Sequence, residues 1–126
     1  MLSFRARLSV LPALGAIALA LAATGVAKNT SVSVVRPQVA PRAGVPWTLT
    51  VRVAVHGKPY AKAGYRPTLY LVDRTGTPVA TFHGAATAPG KFLVRIVFPH
   101  SGTWRYVIPD PLNGEWSFSG LRVARA

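Results

Sequence analysis

From Trp47 to Val55 the chain alternates without a break: Trp47, Leu49, Val51, Val53 and Val55 are apolar, and Thr48, Thr50, Arg52 and Ala54 stand between them. A two-residue period puts one set of side chains on each face of an extended strand, whereas a helix scatters the same residues around its axis. The rhythm returns at Phe92, Val94, Ile96 and Phe98, set against Lys91, Leu93, Arg95 and Val97. It returns again at Trp104, Tyr106 and Ile108, set against Thr103, Arg105 and Val107. Four further strands are predicted at residues 31–36, 68–73, 79–83 and Glu115–Val123, and no stretch beyond residue 27 has a helical period.

The punctuation agrees with this reading. Residues 37–44, 57–59, 73–78, 88–90 and 99–102 separate the runs, and each supplies a Gly that tolerates positive φ or a Pro that withholds a ladder donor. Asp73 to Gly76 with Thr77-Pro78 reads as a tight hairpin link, and residues 61–66 read as a longer connection between sheets. With 11 Gly and 11 Pro the chain is too interrupted for a helical bundle. About seven antiparallel strands with regular turns imply an all-β, immunoglobulin-like sandwich, with a small barrel as the alternative. The last strand breaks phase: Trp116 and Phe118 share one parity, Leu121 and Val123 the other. Either Gly120 hosts a bulge that resets the alternation, or the strand is covered on both faces for part of its length.

The N-terminus has a different character. Arg5 and Arg7 are followed by an uncharged Leu, Ala, Val and Ile run to Val26, and small-x-small exits fall after Ala22 and after Ala27. This is the layout of a secretory leader, so residues 1–27 are expected to be a signal peptide helix and residues 28–126 a single extracytoplasmic domain, secreted or associated with the cell envelope. Retained instead of cut, the same run is nearly long enough to serve as a membrane anchor. The absence of Cys means that packing alone must hold the exported domain, and it removes thiol nucleophiles and Cys-ligated metals.

Between Ala88 and Tyr106 the sequence resembles the YtkA-like domain, a bacterial extracytoplasmic immunoglobulin-like module. The residues that carry the likeness are Pro89-Gly90, Phe92, Phe98-Pro99, Gly102 and Trp104, with an upstream Gly57-Lys58-Pro59 link. The resemblance implies a fold, and it brings no catalytic residues with it. Physically, Pro99 ends one strand, Gly102 permits the reversal, and Trp104 returns to the core that Phe98 has just left.

Candidate chemistry is sparse. His56, His83 and His100 are the potential metal ligands, but no local spacing brings two together, so neither metal nor another cofactor is expected; a copper-handling accessory role through these His is the alternative function. A Ser101, His100 or His83, and Asp73 or Asp110 triad can be drawn on paper, yet no nucleophile elbow accompanies it. Asp110 and Glu115 flank the turn at residues 111–114 and are expected to pair with Arg105 or Arg122. An enzyme is therefore not expected. Asn29-Thr30-Ser31 matches a glycosylation acceptor in what reads as an N-terminal tail.

Charge is the strongest remaining signal, with 15 Lys and Arg against 3 Asp and Glu. Arg52, Lys91, Arg95 and Arg105 all lie on the polar parity of their strands, which predicts a basic outer face for an anionic envelope polymer, lipid headgroups or a protein partner. Nucleic acid is not expected, because the leader directs the chain outward and Trp47, Trp104 and Trp116 read as core residues.

Overall fold

The structure, a computed structural model, describes residues 20–22 and 29–126. Its strands, in chain order, are β1 (Ala20–Ala22), β2 (Thr30–Val35), β3 (Trp47–Val55), β4 (Lys58–Pro59), β5 (Thr68–Val72), β6 (Pro78–Ala88), β7 (Lys91–Ile96), β8 (Gly102–Pro109) and β9 (Glu115–Val123). All seven predicted strands are present. The leader helix falls outside the described residues except at Ala20–Ala22, which form a strand.

The chain folds as an immunoglobulin-like antiparallel β-sandwich. One sheet consists of β1, β2, β3, β7 and the second half of β6, with β4 appended to β3; the other consists of the first half of β6, β5, β8 and β9. The long β6 belongs to both, pairing with β5 up to His83 and with β7 from Gly84 onward. At the opposite corner Ala43 and Ala124 meet, with Ala43 N–H donating to the Ala124 carbonyl at 2.8 Å and Ala124 N–H to Pro41 at 3.0 Å.

Gly84 is required at the crossover, because a Cβ there would stand 2.8 Å from the Pro67 ring. Residues 61–66 cross between the sheets as expected, and Asp73 organises the β5–β6 turn by accepting from Thr75 N–H (2.8 Å), Thr75 Oγ1 (2.6 Å) and Thr77 N–H (3.0 Å). These local bonds mimic a backbone turn and need no distant partner.

The core follows the parity read from sequence. Leu49, Val51, Val94, Ile96, Tyr106 and Ile108 are completely enclosed. In β9 the register decides between the two readings of its phase: Trp104 faces Leu121 and Tyr106 faces Phe118, so three residues of β9 span two of β8. The extra residue sits at Gly120, whose φ of 77° is left-handed and suits glycine.

Thr30, predicted to lie in an N-terminal tail, instead opens β2 and is buried. It shares the inward parity of Val32 and Val34.

Candidate functional site

The register of the first sheet decides which predicted cations come together. Arg52 of β3 lies directly opposite Lys91 of β7, and Thr48 lies opposite Arg95 four residues further along. All three cations point away from the core and are exposed. Four residues of strand span about 13 Å, so the face presents a cationic pair and a third cation one short step away. On the other side of Arg52 stands Ser33, and Thr50 and Leu93 fill the row between. Arg105 does not join them. It lies on β8 opposite Val72, on the outer surface of the second sheet, so the predicted quartet is a trio plus one.

No acid neutralises this trio. The chain's three acidic side chains are Asp73, in the β5–β6 turn, Asp110, in the β8–β9 turn, and Glu115, at the start of β9. Like charges set directly opposite across a ladder destabilise it by a few tenths to about 1 kcal/mol, so Arg52 and Lys91 form an unrelieved pair. Along β7 and just beyond its end the exposed residues Lys91, Leu93, Arg95 and Val97 alternate cation with aliphatic chain.

Asp110 has a different role from the ion pair expected of it. Its carboxylate accepts from Thr30 Oγ1 (2.5 Å) and Trp116 Nε1 (2.7 Å), and from the backbone N–H groups of Leu112 (2.8 Å) and Asn113 (3.1 Å). Desolvation works against its charge, but these donors outweigh it and hold the pKa at about 2. The carboxylate therefore ties the start of β2 to the β8–β9 turn. Trp116, expected in the core, is only half-buried and uses its indole N–H here. Arg122 reaches instead toward Thr103 Oγ1, at 3.4 Å.

The three His do not converge. His56 follows β3 at one end of the sandwich, and His100 lies in the β7–β8 turn at the other, some nine strand residues or about 30 Å away. His83 lies on exposed β6, with Nδ1 3.3 Å from Thr68 Oγ1. Among the described residues no group of three metal-ligating side chains forms.

The paper triad does come together in part. A shallow groove of about 290 Å³ between the β5–β6 and β7–β8 turns is lined by Asp73, Thr75, His100, Ser101 and Trp104. Two of its members are committed elsewhere, however. His100 Nδ1 meets the Ser101 carbonyl oxygen at 2.9 Å, and the Asp73 carboxylate serves its own turn. The Thr75 hydroxyl, followed by the backbone donors, lowers the pKa of Asp73.

The Phe98-Pro99…Gly102…Trp104 motif packs at one end of the sandwich. Phe98 lies between Trp47 and Trp104, with ring centroids 5.9 and 6.2 Å away, and Trp104 Nε1 donates to the His100 carbonyl at 3.0 Å. Arg36 was not singled out from sequence, although it continues the inward parity of β2. Its Nε is buried without a partner, and its guanidinium lies beside the Tyr106 hydroxyl; burial raises the Tyr106 pKa, and the charge and hydrogen bonding of Arg36 partly oppose the rise.

No family model matches the chain, and no curated protein sequence does. Among solved structures it is similar to "Superoxide reductase (Neelaredoxin) from Ignicoccus hospitalis T24K", at 15% identity over 100% of both chains with a TM-score of 0.39. A likeness at that level bears on neither fold nor reaction.

Proposed function

We propose that this chain is an exported, non-enzymatic immunoglobulin-like module, akin to the YtkA-like domain, that holds an anionic polymer of the cell envelope on the outer face of β3 and β7. The supporting observation is the register that sets Arg52 opposite Lys91 with no carboxylate on the same face. A bound phosphate or carboxylate group bridging the two removes their repulsion, and a second anionic unit about 13 Å along reaches Arg95. Ser33, Thr48 and Thr50 flank these cations and offer hydroxyl donors to the same oxygens. Such binding weakens steeply with salt, because the contacts are exposed and screened.

Co-sedimentation with a polyglycerol-phosphate chain, at ionic strengths from 20 to about 500 mM, tests this reading. The expected result is binding that falls with salt and drops at least tenfold in Lys91→Glu and Arg95→Glu, but changes little in Arg105→Glu on the opposite sheet. Binding that is indifferent to salt, or equally sensitive to Arg105, refutes it. Preference for vesicles containing phosphatidylglycerol over the polymer replaces the polymer with a lipid surface.

A further inference from the structure

The two outer edges of the sandwich are protected very differently. The β9 edge carries the Gly120 bulge and Arg122, and its C-terminal end is occupied by the contact between residues 41–43 and Ala124. Bulges and charges of this kind stop an edge from recruiting another strand. The β2 edge has none of these devices. Thr30-Ser31-Val32-Ser33-Val34-Val35 contains no charge, no Pro and no Gly, and all six residues pair regularly with β3.

What lies on that edge is β1. Ala20 faces Val35, Leu21 faces Val34 and Ala22 faces Ser33, antiparallel. These three residues belong to the expected leader, and both predicted exits, after Ala22 and after Ala27, remove them. Processing would therefore strip the covering strand from a regular, uncharged edge whose capacity to accept an antiparallel strand is already displayed.

We propose that removal of the leader unmasks β2 and that the β2 strand of a second copy takes the place of β1, joining two domains edge to edge in a symmetric dimer. The inference rests on the export reading but not on the anionic ligand. A two-fold axis at Ser33 sets Ser33 against Ser33, Val32 against Val34 and Ser31 against Val35, so every inward residue stays inward. No like charges meet, because β2 carries none. The two Arg52–Lys91 rows then lie on the same side of one continuous sheet.

The exported protein offers a clean background for the test, because the chain has no Cys. Its N-terminal mass is determined first, followed by sedimentation velocity over a range of concentrations and oxidative crosslinking of single-Cys variants. The expected results are an N-terminus at residue 23 or 28, a concentration-dependent dimer, and crosslinking of Ser33→Cys at least tenfold faster than of Ser117→Cys on β9. Ser33→Lys, which sets two cations face to face at the axis, should weaken the dimer at least tenfold in sedimentation while its monomer keeps the β-sheet circular dichroism of the parent, and the unprocessed chain, compared in the same detergent, should stay monomeric. An exported protein that retains Ala20–Ala22 overturns both the proposal and the cleavage reading. A correctly processed chain that is monomeric throughout, or that crosslinks equally at both positions, overturns the proposal alone.

Discussion

The two ends of the sandwich are closed by opposite means. At the end where β3 begins, Trp47, Phe98 and Trp104 pack ring against ring, and His100 covers Trp104 with centroids 4.8 Å apart. Both indole N–H groups there donate to backbone carbonyls, Val39 for Trp47 at 2.7 Å and His100 for Trp104. At the other end the closure is polar: one buried carboxylate, Asp110, gathers a threonine hydroxyl, an indole and two backbone amides. The first closure rests on the packing of rings. The second depends on a charge that survives only because every donor around it is in place.

The largest effect should come from the aromatic end. Trp104 is 2% exposed, and Trp104→Ala empties a space between two sheets that cannot collapse onto it. A loss of roughly 3–5 kcal/mol is expected in urea unfolding, comparable to the whole stability of a small domain. Trp104→Phe keeps most of the packing and loses only the N–H bond, so it should cost about 1–2 kcal/mol. If both variants unfold alike, the closure depends on the hydrogen bond rather than on packing, and the contrast between the ends disappears.

The polar end should respond next. Asp110→Ala leaves the Thr30 hydroxyl and the Trp116 indole without their acceptor, at an expected cost of roughly 2–4 kcal/mol. Thr30→Val tests the long-range half of the contact, and a double-mutant cycle should give a coupling of about 1 kcal/mol or more between positions 80 residues apart. Additive costs would mean that Asp110 serves only its own turn.

That separation explains why one end was legible and the other was not. Phe98, Gly102 and Trp104 lie within seven residues, so alternation and turn chemistry predict their meeting locally. Nothing local joins Thr30 to Asp110, although the inward parity that Thr30 shares with Val32 and Val34 marks it as a buried hydroxyl in search of a partner. Without that pairing Asp110 reads as a surface acid, and the nearest Arg is the natural guess. The basic face shows the same division. Parity marks Arg52, Lys91, Arg95 and Arg105 as outward-facing, but only sheet order reveals that β8 belongs to the other layer. The crossing of β6 was hidden too, because its 11 residues are mostly exposed and their pattern ends, to the eye, at His83.

Acid should then act on the polar end through Asp110. The folded pKa of Asp110 is about 2, below the unfolded value of about 3.9, so its carboxylate binds a proton less readily in the native state. The resulting stability is fully present above pH 4 and is lost as the pH falls toward 2; with solvent screening allowed for, it amounts to roughly 1–2 kcal/mol. Asp73 is shifted in the same direction, by its Thr75 and turn hydrogen bonds. Asp110→Asn separates the two: its unfolding free energy should vary less with pH over this window than that of the parent. In Trp104→Phe the parent's pH slope should persist at lower overall stability. A parent slope that survives Asp110→Asn unchanged would assign acid sensitivity to Asp73 and leave the buried carboxylate without an energetic role.

The smallest effect reaches one layer further in. Tyr65 stacks edge-on against Tyr60 and Phe92, at 5.0 and 5.5 Å, and its hydroxyl is buried without a partner. Burial, then the charge of Tyr60, then that of Asp110 push its pKa up to about 12. Of the four tyrosines, Tyr65 and Tyr106 should therefore both ionise above the ordinary value of about 10 when absorbance is read in a pH jump before alkaline unfolding, and Tyr65→Phe identifies the Tyr65 ionisation. Removing the Asp110 charge takes away one of the three causes, so in Asp110→Asn that ionisation should move downward. Trp104→Phe, at the far end, should leave it in place. A shift in the far-end variant as large as that in Asp110→Asn would mean that loosening either closure loosens the whole core, and the two ends would then act as one cooperative unit.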